Sequence, residues 1–145
     1  MRDRPPPAPL SFGLRLLIAA AFGLFGAILG VLVFIRDAGV QGFLEPGFFF
    51  PIYLFLISFL GTALVALAAA GLMGRPGKRG WGWALLGLAL VTFLGSAIAG
   101  TLLFPGVGTI TGPFLLLGTL TLSPLILIFW LLGGVGIHLL ALSRR

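Results

Sequence analysis

The sequence predicts an all-α membrane protein, four transmembrane helices in an up-down bundle with both termini cytoplasmic, and three observations carry that prediction. Of the 145 residues, 59% are hydrophobic and 8% charged, and the mean hydropathy is +1.22. Such a composition excludes a water-soluble core wrapped in charge. The apolar residues lie in long unbroken runs without alternation, which excludes membrane β-strands. Basic residues punctuate the runs, and nearly all of them fall on one side of a four-span arrangement.

Residues 1–13 read as a short basic tail. Arg2, Arg4 and the run Pro5-Pro6-Pro7 hold it extended, because proline lacks the backbone donor a helix needs. The first span covers about 14–35, a length that matches a hydrocarbon core of about 30 Å. That run is too long for the roughly 7–15 apolar residues of a cleavable signal, and no small-x-small site follows it. The second span covers about 48–73, with Pro51 placed early, where a missing donor is tolerated. The third covers about 81–104. In the last apolar stretch, 114–142, Thr119, Thr121, Ser123 and Pro124 interrupt the run, so the main helix is expected over about 123–142, followed by a basic end at 143–145. Pro105, Gly106, Gly108, Gly112 and Pro113 predict a non-helical connection over 105–113, and 114–122 is read as an extra turn, a kinked extension or a re-entrant piece. The two helical hairpins do not align well enough to form an internal repeat.

Counting basic residues sets the orientation. Arg2, Arg4, Arg15, Arg75, Lys78, Arg79, Arg144 and Arg145 share one side and Arg36 alone takes the other, which makes the first side cytoplasmic and turns 37–47 and 105–113 outward. Localisation in a prokaryotic inner or plasma membrane is expected. The same distribution argues against nucleic acid as a partner, since the basic residues flank apolar runs and do not cluster on one folded face. Lipid is the first partner. Arg15, Arg75, Lys78, Arg79, Arg144 and Arg145, with Trp81 and Trp83, are expected to anchor the cytoplasmic surface through snorkelling and an aromatic belt. At the other surface Glu45, Phe48 and Phe49 form a candidate outer-loop contact, lying in a segment suited to the outer leaflet.

Chemistry is sparse. The chain has no cysteine and no asparagine, so disulfides, thiolate metal sites and N-glycosylation are absent. All three acidic residues, Asp3, Asp37 and Glu45, lie outside the expected spans, which leaves no buried carboxylate for proton coupling. The sole histidine, His138, shares a helical face with Trp130 and Gly134. It is a candidate cofactor ligand only together with a partner chain, because a lone imidazole completes neither a bis-His haem nor a zinc site. The reading beside it is a histidine hydrogen-bonded to backbone, headgroup or water. Glycines 106, 108 and 112 do not make a phosphate loop, since no Lys-Ser/Thr follows. No metal site, cofactor or catalytic constellation is expected.

Small residues form the most ordered pattern. Gly23, Gly26 and Gly30 stripe the first span, Ser58, Thr62, Ala66 and Ala70 the second, and Thr92, Ser96 and Gly100 the third. Such stripes let helix backbones approach in lipid, where close packing is a main source of association. They point to a non-catalytic accessory or assembly subunit of a larger respiratory, photosynthetic or transport complex, with other membrane subunits or a second copy as partners. The alternative is a small transport component, either a homo-oligomeric carrier or channel or the small membrane subunit of a multi-chain transporter. Pro46-Gly47-Phe48-Phe49-Phe50-Pro51 resembles the Pro-Gly-Phe-Phe-Pro segment of small membrane subunits in tripartite tricarboxylate transporters, and that resemblance implies the alternative.

Overall fold

Four apolar helices, each long enough to cross a membrane, and one shorter helix make up the computed structural model, which describes residues 10–47 and 49–144. The tail residues Arg2 and Arg4 with their prolines, Phe48 and Arg145 lie outside the described residues.

Helix α1, Phe12–Leu44, starts where Ser11 accepts a hydrogen bond from the Leu14 backbone N–H at 3.3 Å, satisfying one of the orphan donors of the first turn. It outruns the expected span at both ends. Its 33 residues are divided at Gly39, whose φ of 73° and ψ of 168° are not helical. The straight part up to Ala38 is about 40 Å long at 1.5 Å per residue, which matches a bilayer with its interfacial zones. The segment 37–47, expected as an outer loop, is therefore mostly helix. The bend brings Phe43 back to Phe34, with ring centroids 6.0 Å apart, while Phe50 meets the same ring edge-on at 5.1 Å. Backbone at such φ and ψ is essentially restricted to glycine. Gly39→Ala is expected to lower stability by about 1–3 kcal/mol, read as a reduced melting temperature in detergent; an unchanged melt would show that the bend is not held.

Helix α2, Phe49–Ala69, tightens into a 3₁₀ turn at Ala70–Leu72, a common ending where the last carbonyls run out of partners. After a turn containing Gly74 and Gly77, both at positive φ, α3 spans Gly77–Leu103. The Tyr53 hydroxyl donates to the Leu102 carbonyl at 2.6 Å, which caps one of the free acceptors at the end of α3.

The connection from α3 departs from expectation. Only Phe104–Val107 is turn; α4 forms over Gly108–Leu122 with Pro113 inside it. Proline here deprives only one early carbonyl of its donor, and the glycines read as loop punctuation serve close packing instead. A Cβ at Gly108 would collide with the Gly100 carbonyl, and one at Gly112 with the Ser96 carbonyl. Ser123 then breaks the helix with φ −124° and ψ 96°, and α5, Pro124–Ser143, begins with proline in its first turn, the position its fixed φ favours. The stretch 114–122 thus belongs to a separate helix.

Helix pairings follow the small residues. Gly26 faces Thr62 and Gly30 faces Ser58 across α1 and α2, while Gly61 packs on the backbone of Gly95 and Ala99 in α3. One core cluster joins Leu14, Ile18 and Phe22 to Ala70, Met73, Leu88 and Ala141. A second joins Leu29 to Leu116, Leu120 and Ile126. Helix α4 therefore crosses from α3 to α1: Gly112 lies on α3, and seven residues later Thr119 meets Arg36 of α1. Seven residues rise about 10 Å, the usual spacing between packed helices.

Candidate functional site

Two polar centres stand out, one at each end of the bundle. The first is built around His138, which is 1% exposed. The i, i+4 face noted in the sequence is the buried one: the Trp130 indole N–H donates to Thr92 Oγ1 at 3.3 Å, a Cβ on Gly134 would strike Leu88, and His138 closes the row. The turn between α2 and α3 supplies the partners. The Gly74 backbone N–H donates to His138 Nδ1 at 3.2 Å, and the Trp81 ring lies with its centroid 4.5 Å away. Gly74 has a φ of 69° and sits against the Ala141 backbone, where an added Cβ would come within 2.8 Å. Both its conformation and its space require glycine. This imidazole fastens the basic turn to α5. His138→Ala removes the acceptor, leaves a buried N–H unpaired and opens a void, so a loss of about 2–4 kcal/mol is expected. A thermal melt in detergent checks it, and His138→Asn, which restores an acceptor, should recover part of the loss.

The surface residues nearby are basic and aromatic. Arg75 donates from Nε to the Gly71 carbonyl at 2.9 Å and places its guanidinium 5.3 Å from the Trp83 ring centre, a cation–π arrangement. Arg15, Lys78, Arg79 and Arg144 are exposed, and Trp81 and Trp83 are about two-fifths exposed. At the other end Glu45 is exposed and Phe49 is 83% exposed.

The second centre is a cavity of about 320 Å³ between α1, α2, α3 and α4, within the range of small-molecule sites. Its walls are apolar, formed by residues such as Leu54, Ile57 and Leu116, and it is studded with four hydroxyls from Ser58, Thr62, Thr92 and Ser96. Three of these protons are spent within their own helices: Thr62 donates to the Ser58 carbonyl at 2.7 Å, Thr92 to that of Leu88 at 2.7 Å, and Ser96 to that of Phe93 at 2.8 Å, the usual back-bonding of hydroxyls in helices. Thus the polar stripes Ser58/Thr62 and Thr92/Ser96 converge on one chamber, while Ala66 and Ala70 lie buried in the bundle and Gly23 packs under the Phe59 ring.

Asp37 marks the mouth and is shared with a shallower groove on the far side of α4. There Arg36 donates to Asp37 Oδ1 at 3.1 Å and to Thr119 Oγ1 at 3.3 Å. At about one-third exposure the ion pair itself contributes little, yet the bond to the fully buried Thr119 ties α1 to α4. Sequence reading left Arg36 as the lone outer basic residue and missed this tie, since nothing in spacing relates residues 83 positions apart. Among the described residues no group of three or more His, Cys, Asp or Glu side chains is placed to hold a metal ion. Compared with protein-family models, curated proteins and solved structures, the chain finds no match in any of the three.

Proposed function

We propose that this chain is a non-catalytic accessory or assembly subunit of a larger membrane complex, respiratory, photosynthetic or transport. The observation that carries the reading is how the polar groups are spent. Hydroxyls in the spans bond mostly to their own helices, His138 is engaged by a backbone amide and a tryptophan, and the ion pair lies at a helix junction. An interior whose polar groups are engaged in this way suits a structural role better than multi-residue chemistry. Large apolar side chains cover the outside, Leu125 and Leu132 of α5 among them, and these faces suit lipid and partner helices. The Gly26/Gly30 stripe is taken up within the chain, so partners are expected on the outward helix faces.

The test is mild-detergent extraction of the tagged protein from its native membrane, followed by mass spectrometry of what accompanies it. Stoichiometric large subunits support the proposal. A homo-oligomer without partners overturns it in favour of a small transport component, the reading that the hydroxyl-lined cavity favours.

The proposal includes an up-down bundle with both termini cytoplasmic, in a prokaryotic inner or plasma membrane. Supporting it, Gly26 pairs with Thr62 and Gly30 with Ser58 as adjacent helices of opposite direction require, and Arg15, Arg75, Lys78, Arg79 and Arg144 flank the end shared by Leu14, Met73 and Ala141. The absence of native cysteine gives a clean background for labelling. Glu45→Cys is expected to react with a membrane-impermeant maleimide in intact cells and Lys78→Cys only after lysis; the reverse pattern inverts the topology.

A further inference from the structure

We propose that the cavity between α1, α2, α3 and α4 binds a neutral, largely apolar molecule from the membrane that carries a carbonyl oxygen, and that the Ser58 hydroxyl holds that oxygen. Ser58 is 6% exposed, and its hydroxyl has no hydrogen-bond partner among the described residues. No buried side-chain oxygen or nitrogen is left both sealed and unpaired, so this hydroxyl reaches the open space it lines. The hydroxyl lies against Gly30 of α1, which lines the same cavity. Of the four hydroxyls around the chamber, Ser58 alone keeps its proton uncommitted. A donor in an apolar enclosure calls for an acceptor, since leaving it unpaired is unfavourable there.

Charge narrows the class further. Asp37 lines the cavity but its charge is paired with Arg36, which also donates to Thr119, so no uncompensated charge there draws in an ion of either sign. An ammonium would have to be stripped of water into walls of leucine and isoleucine. A neutral molecule remains. About 320 Å³ admits a single ring with short substituents or part of one chain, and leaves no room for a whole phospholipid. A quinone ring and a fatty ester both offer this chemistry. The inference holds for either an accessory subunit or a transport component, because it concerns only what the chamber contains.

Trp130 reports on the site, since its indole bonds to Thr92 in the cavity wall, whereas Trp81 and Trp83 belong to the basic end. The full-length chain in detergent micelles is titrated with decyl-benzoquinone in one arm and with a brominated fatty acid methyl ester in the other; both quench indole fluorescence at short range. Expected is saturable quenching in one arm, which names the source, weakened about three- to tenfold by Ser58→Ala, the loss of one neutral hydrogen bond. Ala99→Leu, which fills the chamber, is expected to abolish saturation. Linear quenching in both arms, equal in wild type and variants, means partition into the micelle and overturns the proposal. Saturation that survives Ala99→Leu overturns it as well, and saturation indifferent to Ser58→Ala overturns the assignment of the hydroxyl and the carbonyl chemistry with it. Melting curves of the variants establish that they are folded; if Ala99→Leu is not, the smaller Ser58→Ala decides the matter.

Discussion

Gly108→Leu is expected to strip α4 from the face of α3 and to lower the melting temperature about as far as the loss of His138. The seam there is backbone on backbone: Gly108 rests on Gly100 and Gly112 on Ser96. Where the neighbour is a flexible side chain, a new methyl group is accommodated by rotation. A carbonyl of a hydrogen-bonded helix has no such freedom, so the helices must separate by a few ångströms along the whole contact. Overpacking in a close-packed interior costs about 1–3 kcal/mol, and loss of the Leu29, Leu116, Leu120 and Ile126 cluster adds the transfer of those side chains to lipid, which is nearly neutral. Because leucine adds four carbons where even the first does not fit, a loss at the upper end of that range, about 3 kcal/mol, is expected. Thermal melts in detergent give the size, and proteolysis gives the place, since cleavage within α4 should rise before cleavage within α5. A wild-type melt for Gly108→Leu would falsify the seam.

The second large effect is expected at the α1–α2 contact. Gly26 and Gly30 oppose Thr62 and Ser58 so closely that a Cβ at either would overlap a side chain. Gly26→Leu with Gly30→Leu should force the pair apart and disrupt the isolated protein, not merely its association with others. The fold, and not a docking surface, is what this stripe serves here. If the double variant purifies as a folded protein with an unaltered melt but no longer co-purifies with its complex, the stripe faces a partner and the packing described above is wrong.

Much of this architecture was readable from the residues alone, and for a physical reason. Hydrocarbon imposes length and polarity on a span so strictly that runs of apolar residues name the four long helices, with bounds displaced by a few residues except at the end of α1, which runs on to Leu44. What escaped reading was the meaning of glycine and proline between them. In the sequence, Gly106, Gly108, Gly112 and Pro113 read as a non-helical connection, because residue type alone does not distinguish Gly108 from a turn glycine such as Gly74. The difference lies in what stands opposite: Gly74 bends the chain at positive φ, whereas Gly108 is helical and bare because Gly100 lies against it. Only three-dimensional proximity separates the two uses. For the same reason the hydroxyl stripes were visible as periodicities on separate helices, but their meeting around one chamber was not. His138 was legible as to face, through Trp130 and Gly134, and illegible as to partner, since Gly74 lies 64 positions away.

Helix α4 has a consequence for how the molecule is made. Fifteen residues rise about 22 Å, short of the roughly 30 Å that a lone segment must cover to cross hydrocarbon by itself. Its close backbone seam and its polar tie, Gly100 and Ser96 of α3 and Arg36 of α1, leave the ribosome before it does, and only Ile126 and its neighbours in α5 come after. Assembly of α4 is accordingly ordered in time: α1 and α3 must already stand together to receive it, and α5 packs on it afterwards.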